Sequence, residues 1–296
     1  MQSKYKFTGQ TLLWYDTVLH KIQAVRDFGD VKSGTLGGWI ESEKNLSHFG
    51  NAWVADDAKV FGSAQVSDNA MINGKAGVFD GAKVFGNAVL TDNALVFGDV
   101  QVSDNAKIFG NAKVSDRAQV SGNAQVFDNA TVDGNAKISD NAEIFGNALV
   151  YDNAQIYGDA VVYGKVHVTE NAQIFGNAKI SDDVQIFGNS KIFGDASVSD
   201  NAVIDGSANV SGKAIVSGKA LISGDAQVSG YANVSGNAVI SGKAIVSGQT
   251  QVAGNTKDLG NVWNCYSKQD WLVLASIFVV IFIVGILLGR ILRRSK

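Results

Sequence analysis

The sequence predicts an all-β chain wound into a parallel β-helix. Three observations predict it: an unbroken six-residue period, a small residue fixed two places before each aliphatic one, and turn-forming residues in between. From Val54 to Val252 every sixth position is Val, Ile or, at Leu90, Leu, which makes 34 positions in one register. The residue two places earlier is Ala in 29 of the 34; Val100, Val166, Val184, Ser190 and Thr250 fill the others.

Each six-residue unit follows from strand geometry. Residues two apart on a strand share a face, so Ala106 and Ile108 point inwards while Lys107 points out. A turn follows, most often Gly-Asn or Asp-Asn, and these residues tolerate left-handed backbone at small cost. One unit cannot bury its own face, so units must coil and stack. A helix would place residues six apart on nearly opposite sides, and the 33 Gly would be costly in it.

The same composition excludes several classes. A single cysteine, Cys265, cannot form an internal disulfide. Net charge is −3 with both signs interspersed, so nucleic acid is not an expected partner. The start, MQSKYKFTGQ, has no apolar run and predicts no secretory signal peptide.

Units such as Val102-Ser103-Asp104-Asn105-Ala106-Lys107 and Val84-Phe85-Gly86-Asn87-Ala88 resemble the hexapeptide repeat of left-handed parallel β-helices. That resemblance implies left-handed coils of three units, 18 residues each, and about 11 coils here. This chain departs from that pattern by placing Phe, Tyr or Ser directly after the aliphatic residue, where Gly is frequent. The segment before the repeat, with IQAVRDFGDVK (22–32), GTLGGWIE (34–41) and Asn45-Leu46-Ser47, resembles the leader of YdcK-type proteins, a bacterial and phage family of hexapeptide-repeat chains. Enzymes with this repeat are mostly acyltransferases that use a His base at a trimer interface, so the resemblance implies an acyltransferase as one reading.

The expected organisation is a cap (1–47), the β-helix (48–256), a linker (257–270), a transmembrane helix (271–289) and a basic tail (290–296). Trp14, Trp39 and Trp53 are expected to cover the open first coil. Trp271 to Gly289 is 19 uncharged, apolar residues, long enough as a helix to cross a bilayer core. The chain is therefore expected to be a single-pass membrane protein with its lipid contact at 271–289. Arg290, Arg293, Arg294 and Lys296 place that end inside by charge, which would put the rod outside. A missing signal peptide argues for a C-terminal anchor with the rod in the cytoplasm, and the reading leans that way.

Chemistry is sparse. Of the three His, His20 lies in the cap and His48 falls on the aliphatic phase, expected to end the core. His167, outward between Val166 and Val168, is the one weak catalytic candidate. No Cys/His cluster suits a metal, no phosphate-binding glycine motif opens a helix, and no cofactor is expected.

Two surface patterns stand out. At the first turn position Gly62, Asp68, Gly74, Asp80, Gly86 and Asp92 alternate, so an Asp stacks over a Gly one coil away and like charges are spaced apart. Aromatics 18 apart form ladders: Phe61, Phe79, Phe97; Phe109, Phe127, Phe145, Tyr163; Tyr157, Phe175, Phe193. They either brace the coils or bind a partner or glycan, and Phe109, Phe127, Phe145 and Tyr163 are the candidate binding residues. After Asp205 the aromatics leave this position, and outward Val203, Leu221 and Val239 form an apolar stripe suited to another copy of the chain. The first reading is a structural or scaffold rod that forms homo-oligomers; an acyltransferase or a glycan-binding adhesin is the alternative.

Overall fold

The computed structural model describes residues 3–256. It is an all-β parallel solenoid of about 12 turns. Strands β1 (Tyr5–Trp14), β2 (Thr17–Ala24) and β3 (Leu36–Ile40) come first. Then 34 two-residue strands, β4 (Trp53–Val54) to β37 (Gln251–Val252), stack into three flat faces. The first face runs from Lys59–Val60 to Val239–Ile240, the second from Trp53–Val54 to Gln251–Val252, the third from Gln65–Val66 to Ile245–Val246.

Every pairing between coils is parallel and 18 residues apart, as Lys107–Ile108 pairs with Gln125–Val126. Inside, the Ala and aliphatic columns are fully buried along the rod. Each fully buried Val or Ile contributes about 1.5–3 kcal/mol relative to exposure. Turn amides do not depend on water: Asn105 N–H donates to the Gly122 carbonyl one coil on, at 2.8 Å. The first turn residue is left-handed throughout, at φ +58° for Asp104 and +68° for Gly110. Asn and Asp are the non-glycine residues that best tolerate that region, which explains why the turns that lack Gly use Asp everywhere but at Glu170.

The cap is an antiparallel meander continuous with the first face. β1 pairs with β2, β2 with β3, and β3 then runs parallel to Lys59–Val60. The coil therefore begins before the expected boundary at residue 48. Ile40 pairs with Val60 and Leu46 bridges Val66, each 20 apart, two more than elsewhere. Leu46, not His48, occupies the core, and the two extra residues fall in the corner that follows. His48 instead stacks on Tyr5 at 4.4 Å and accepts a hydrogen bond from the Lys4 amide at 3.3 Å.

The cover is also not the three tryptophans expected. Trp53 is buried edge-on against Phe28 at 5.4 Å. Trp39 and Trp14 lie on the first face, under the ammonium groups of Lys21 and Lys59 at 4.8 and 4.4 Å. Lys4 is fully buried in the cap and donates to the Ala52 carbonyl at 2.7 Å. Burial, with the Arg26 charge nearby, pulls its ammonium down to about 8. Tyr5 donates to the Leu46 carbonyl at 3.0 Å, and burial with the Glu43 charge pushes its phenol upwards.

The expected linker (257–270), membrane helix (271–289) and basic tail (290–296) lie outside the described residues. Among the described residues no helix is long and apolar enough to cross a membrane.

Candidate functional site

Parallel in-register pairing puts residues 18 apart directly above one another, and the side chains sharpen that geometry into ladders. At the corner after the second face, Phe109, Phe127, Phe145 and Tyr163 stack with ring centroids 4.7, 4.7 and 5.1 Å apart and planes within 4–9°. Phe61, Phe79 and Phe97 do the same after the first face, and Tyr157, Phe175 and Phe193 after the third. The ring faces are spent on each other. What the candidate ladder presents outwards is ring edges plus its two end faces, next to Thr91 and Ser181.

Two further ladders run beside the aromatics. Every turn Asp except Asp116 accepts a hydrogen bond from the backbone one coil ahead: Asp68 from Gly86 at 3.1 Å, Asp104 from Gly122 at 3.0 Å, Asp140 from Gly158 at 3.0 Å. Spacing of like charge is thus half of the reason for the Asp/Gly alternation from Asp56 to Gly158, and an amide partner for the carboxylate is the other half; further on carboxylates stack directly, Asp152 with Glu170 and Asp182 with Asp200. The second turn position carries an amide ladder that sequence reasoning missed. Asn51, Asn69, Asn87, Asn105, Asn123 and Asn141 each donate Nδ2–H to the next Oδ1 at 2.9–3.0 Å, ending on the Asp159 carboxylate at 2.8 Å. The signal was present: Asn recurring every 18 residues, hidden under the six-residue period.

His167 sits on the first face between Leu149 and Gln185, partly buried. Among the described residues its ring has no hydrogen-bond or ring partner, and nothing joins it to the aromatic ladder. One carboxylate pair departs from the regular pattern. Gly134 N–H donates to Asp133 beside it at 2.6 Å and not to Asp116 below. The Asp133 charge and a hydrogen bond with it raise the Asp116 carboxyl. Among the described residues no three His, Cys, Asp or Glu side chains gather as a metal site would need.

The faces differ in what they offer. The third is polar, with Gln101, Gln119, Lys137 and Gln155 along an open furrow of about 520 Å³. The first is overhung by the tip of the β1–β2 hairpin, which encloses about 680 Å³ against the rod.

Comparison with known proteins matches this geometry. The family profile described as "YdcK Beta solenoid repeat" matches residues 64–79 and 154–170. A curated protein of Escherichia coli (strain K12), "Uncharacterized acetyltransferase YdcK", is 46% identical over 41 residues, 14% of this chain. The matched stretch is 13% of the length of that relative. The coils are therefore of the YdcK repeat type, and the chain is a YdcK-type β-solenoid repeat protein.

Proposed function

We propose that the chain is a non-enzymatic, left-handed rod, held to a membrane by residues 271–289 and pairing with copies of itself. The observation that supports it is the unbroken 18-residue register of all three faces from Trp53 to Val252, which builds a stiff spacer. The pairing surface is the stripe Val203, Leu221, Val239, which lies in register on the first face. Ile215, 46% exposed, and Tyr231, 62% exposed, add apolar surface in the same coils. The rod lies on the cytoplasmic side.

The test is fractionation of cells followed by sedimentation in detergent. The full chain is expected to stay with membranes in alkaline carbonate, and a chain lacking 271–289 to be released. Leu221→Arg is expected to shift the detergent-solubilised oligomer to monomer. Release of the full chain overturns the anchor, and a monomeric parent overturns the pairing.

The acyltransferase reading has one supporting observation, the word acetyltransferase in the name of the matched relative. It would place His167 at a subunit boundary as the base. Acetyl transfer that disappears in His167→Ala, with the oligomer unchanged, would replace the rod with the enzyme.

A further inference from the structure

The cavity under the hairpin tip has features that the rest of the rod lacks. Its roof is Trp14 and Tyr15, at the turn between β1 and β2. The turn is tight, with Tyr15 at φ +42° and Asp16 at φ +61°. Positive φ at both central residues is what a two-residue hairpin turn between Trp14 and Thr17 requires. Tyr15 is 83% exposed and meets Trp14 edge-on at 5.3 Å.

Phe61 and Phe79 form one wall, as the first two rings of their ladder. The floor is Gly77, buried beneath the Leu95 side chain, in a column that carries Lys59 below and Leu95 above. Gly77 has ordinary backbone, so no turn requires glycine there.

The polar groups around this apolar surface are mixed and unpaired. Lys75 and Asp80 line the cavity without an ion pair among the described residues. One Asp80 oxygen is engaged by Gly98 N–H at 3.3 Å, which leaves the other free. Asn93 donates to Asn111 at 3.0 Å, beginning an amide ladder. The residue 18 earlier in that column is Lys75, so the Asn93 Oδ1 is the ladder's free acceptor end, facing the cavity. Lys59 is committed, donating to the Asp57 carbonyl at 2.9 Å and lying over Trp14.

We propose that this cavity binds a neutral saccharide. A pyranose ring has an apolar C–H face and a rim of hydroxyls that both donate and accept. The site offers the exposed Tyr15 ring and the edges of Phe61 and Phe79 for the first, and the Lys75 donor with the Asp80 and Asn93 acceptors for the second. Both signs line the cavity, Lys59 and Lys75 against Asp80, so an anion would meet Asp80 and a cation would meet the two lysines. A volume of about 680 Å³ holds a short oligosaccharide. The proposal does not depend on the membrane anchor or on self-pairing.

Isothermal titration calorimetry on the full chain in detergent tests it, with the tetrasaccharides of β-1,4-glucose, β-1,4-N-acetylglucosamine and α-1,4-glucose as probes. At least one is expected to bind. Gly77→Leu puts into the floor a side chain that the column already carries at Leu95 and Leu149, pushing the flexible Leu95 tip aside, so the coil should still fold while affinity falls at least tenfold. Exposed Lys75→Gln should weaken binding several-fold. No heat from any probe at millimolar concentration overturns the proposal. Binding indifferent to Gly77→Leu does the same. So does tighter binding of a charged chain such as oligo(dT), or a change in oligomeric state in place of sugar binding.

Discussion

Up to Asp205 the corners of the coil carry acidic residues among the Gly, in strict alternation from Asp56 to Gly158, with Asn ladders and stacked rings. From Gly206 to Gly254 the first turn position is Gly without exception, and the residue after the aliphatic is Ser or, last, Ala253. The core does not change across this boundary: Ala124 and Val126 are buried to the same degree as Ala226 and Val228. One hexad therefore suffices for the fold, and the corners are a separate layer of stabilisation. Gly in a turn loses more backbone freedom on folding than Asp does, and Ser brings no stacking. The plainer coils should open first.

Replacing one ring should break the contrast most. Phe127 stacks on both neighbours, and aromatic pairs contribute about 0.5–1.5 kcal/mol each. Phe127→Ser is expected to cost about 1–3 kcal/mol and raise amide exchange across residues 109–145 to the level of the Gly206–Val252 coils. The reverse change, Ser199→Phe with Ser217→Phe, should slow exchange in its own coils. Equal protection in parent and Phe127→Ser would show that the rings do not brace the rod.

The cap sharpens the comparison through pH. Lys4 is held near 8 when folded and near 10.5 when unfolded. Between those values the unfolded chain binds more protons, so cap stability rises with pH across that window, by roughly 3 kcal/mol. Tyr5 acts oppositely. Its folded phenol is raised, so its contribution is present below the ordinary tyrosine value and is lost above it. Exchange of the cap amides is expected to slow as pH rises from about 8 and to be slowest near pH 10 after correction for intrinsic rates. Lys4→Met should flatten the rise and leave the Gly206–Val252 coils unchanged.

The smallest effect separates the two reasons for Asp in the turns. Asp140 sits at φ +58° and accepts from Gly158. Asp140→Ala loses the acceptor and keeps the backbone strain, at about 1–2 kcal/mol. Asp140→Gly loses the acceptor but relieves the strain, and should lie within about 0.5 kcal/mol of the parent. Denaturant midpoints of the pair check this; equal losses would deny strain a role.

The hexad carried most of the fold, because each buried column is one aliphatic residue in one phase. What escaped lies where two registers overlap. Ile40 and Leu46 are six apart but two residues out of phase with Val54, so counting back from Val54 landed on His48. Trp14 was read as a cover for the open end, when the antiparallel hairpin carries it out over the first face. The candidate ladder was legible as spacing. That its ring faces are used up by each other required the stacking distances. The cavity under the hairpin was not legible, since it joins residues 14 and 15 to residues 59–95 through a pairing that no local pattern encodes.

Because the core repeats every six residues and the ladders every 18, the chain has two units of length. An insertion of six residues would satisfy every buried position and still rotate each downstream corner by one face, setting Phe against Ser and Asn against Lys. An insertion of 18 would change nothing but the reach of the rod. Growth or loss by whole coils is the silent route for this gene, and its length should vary in those steps.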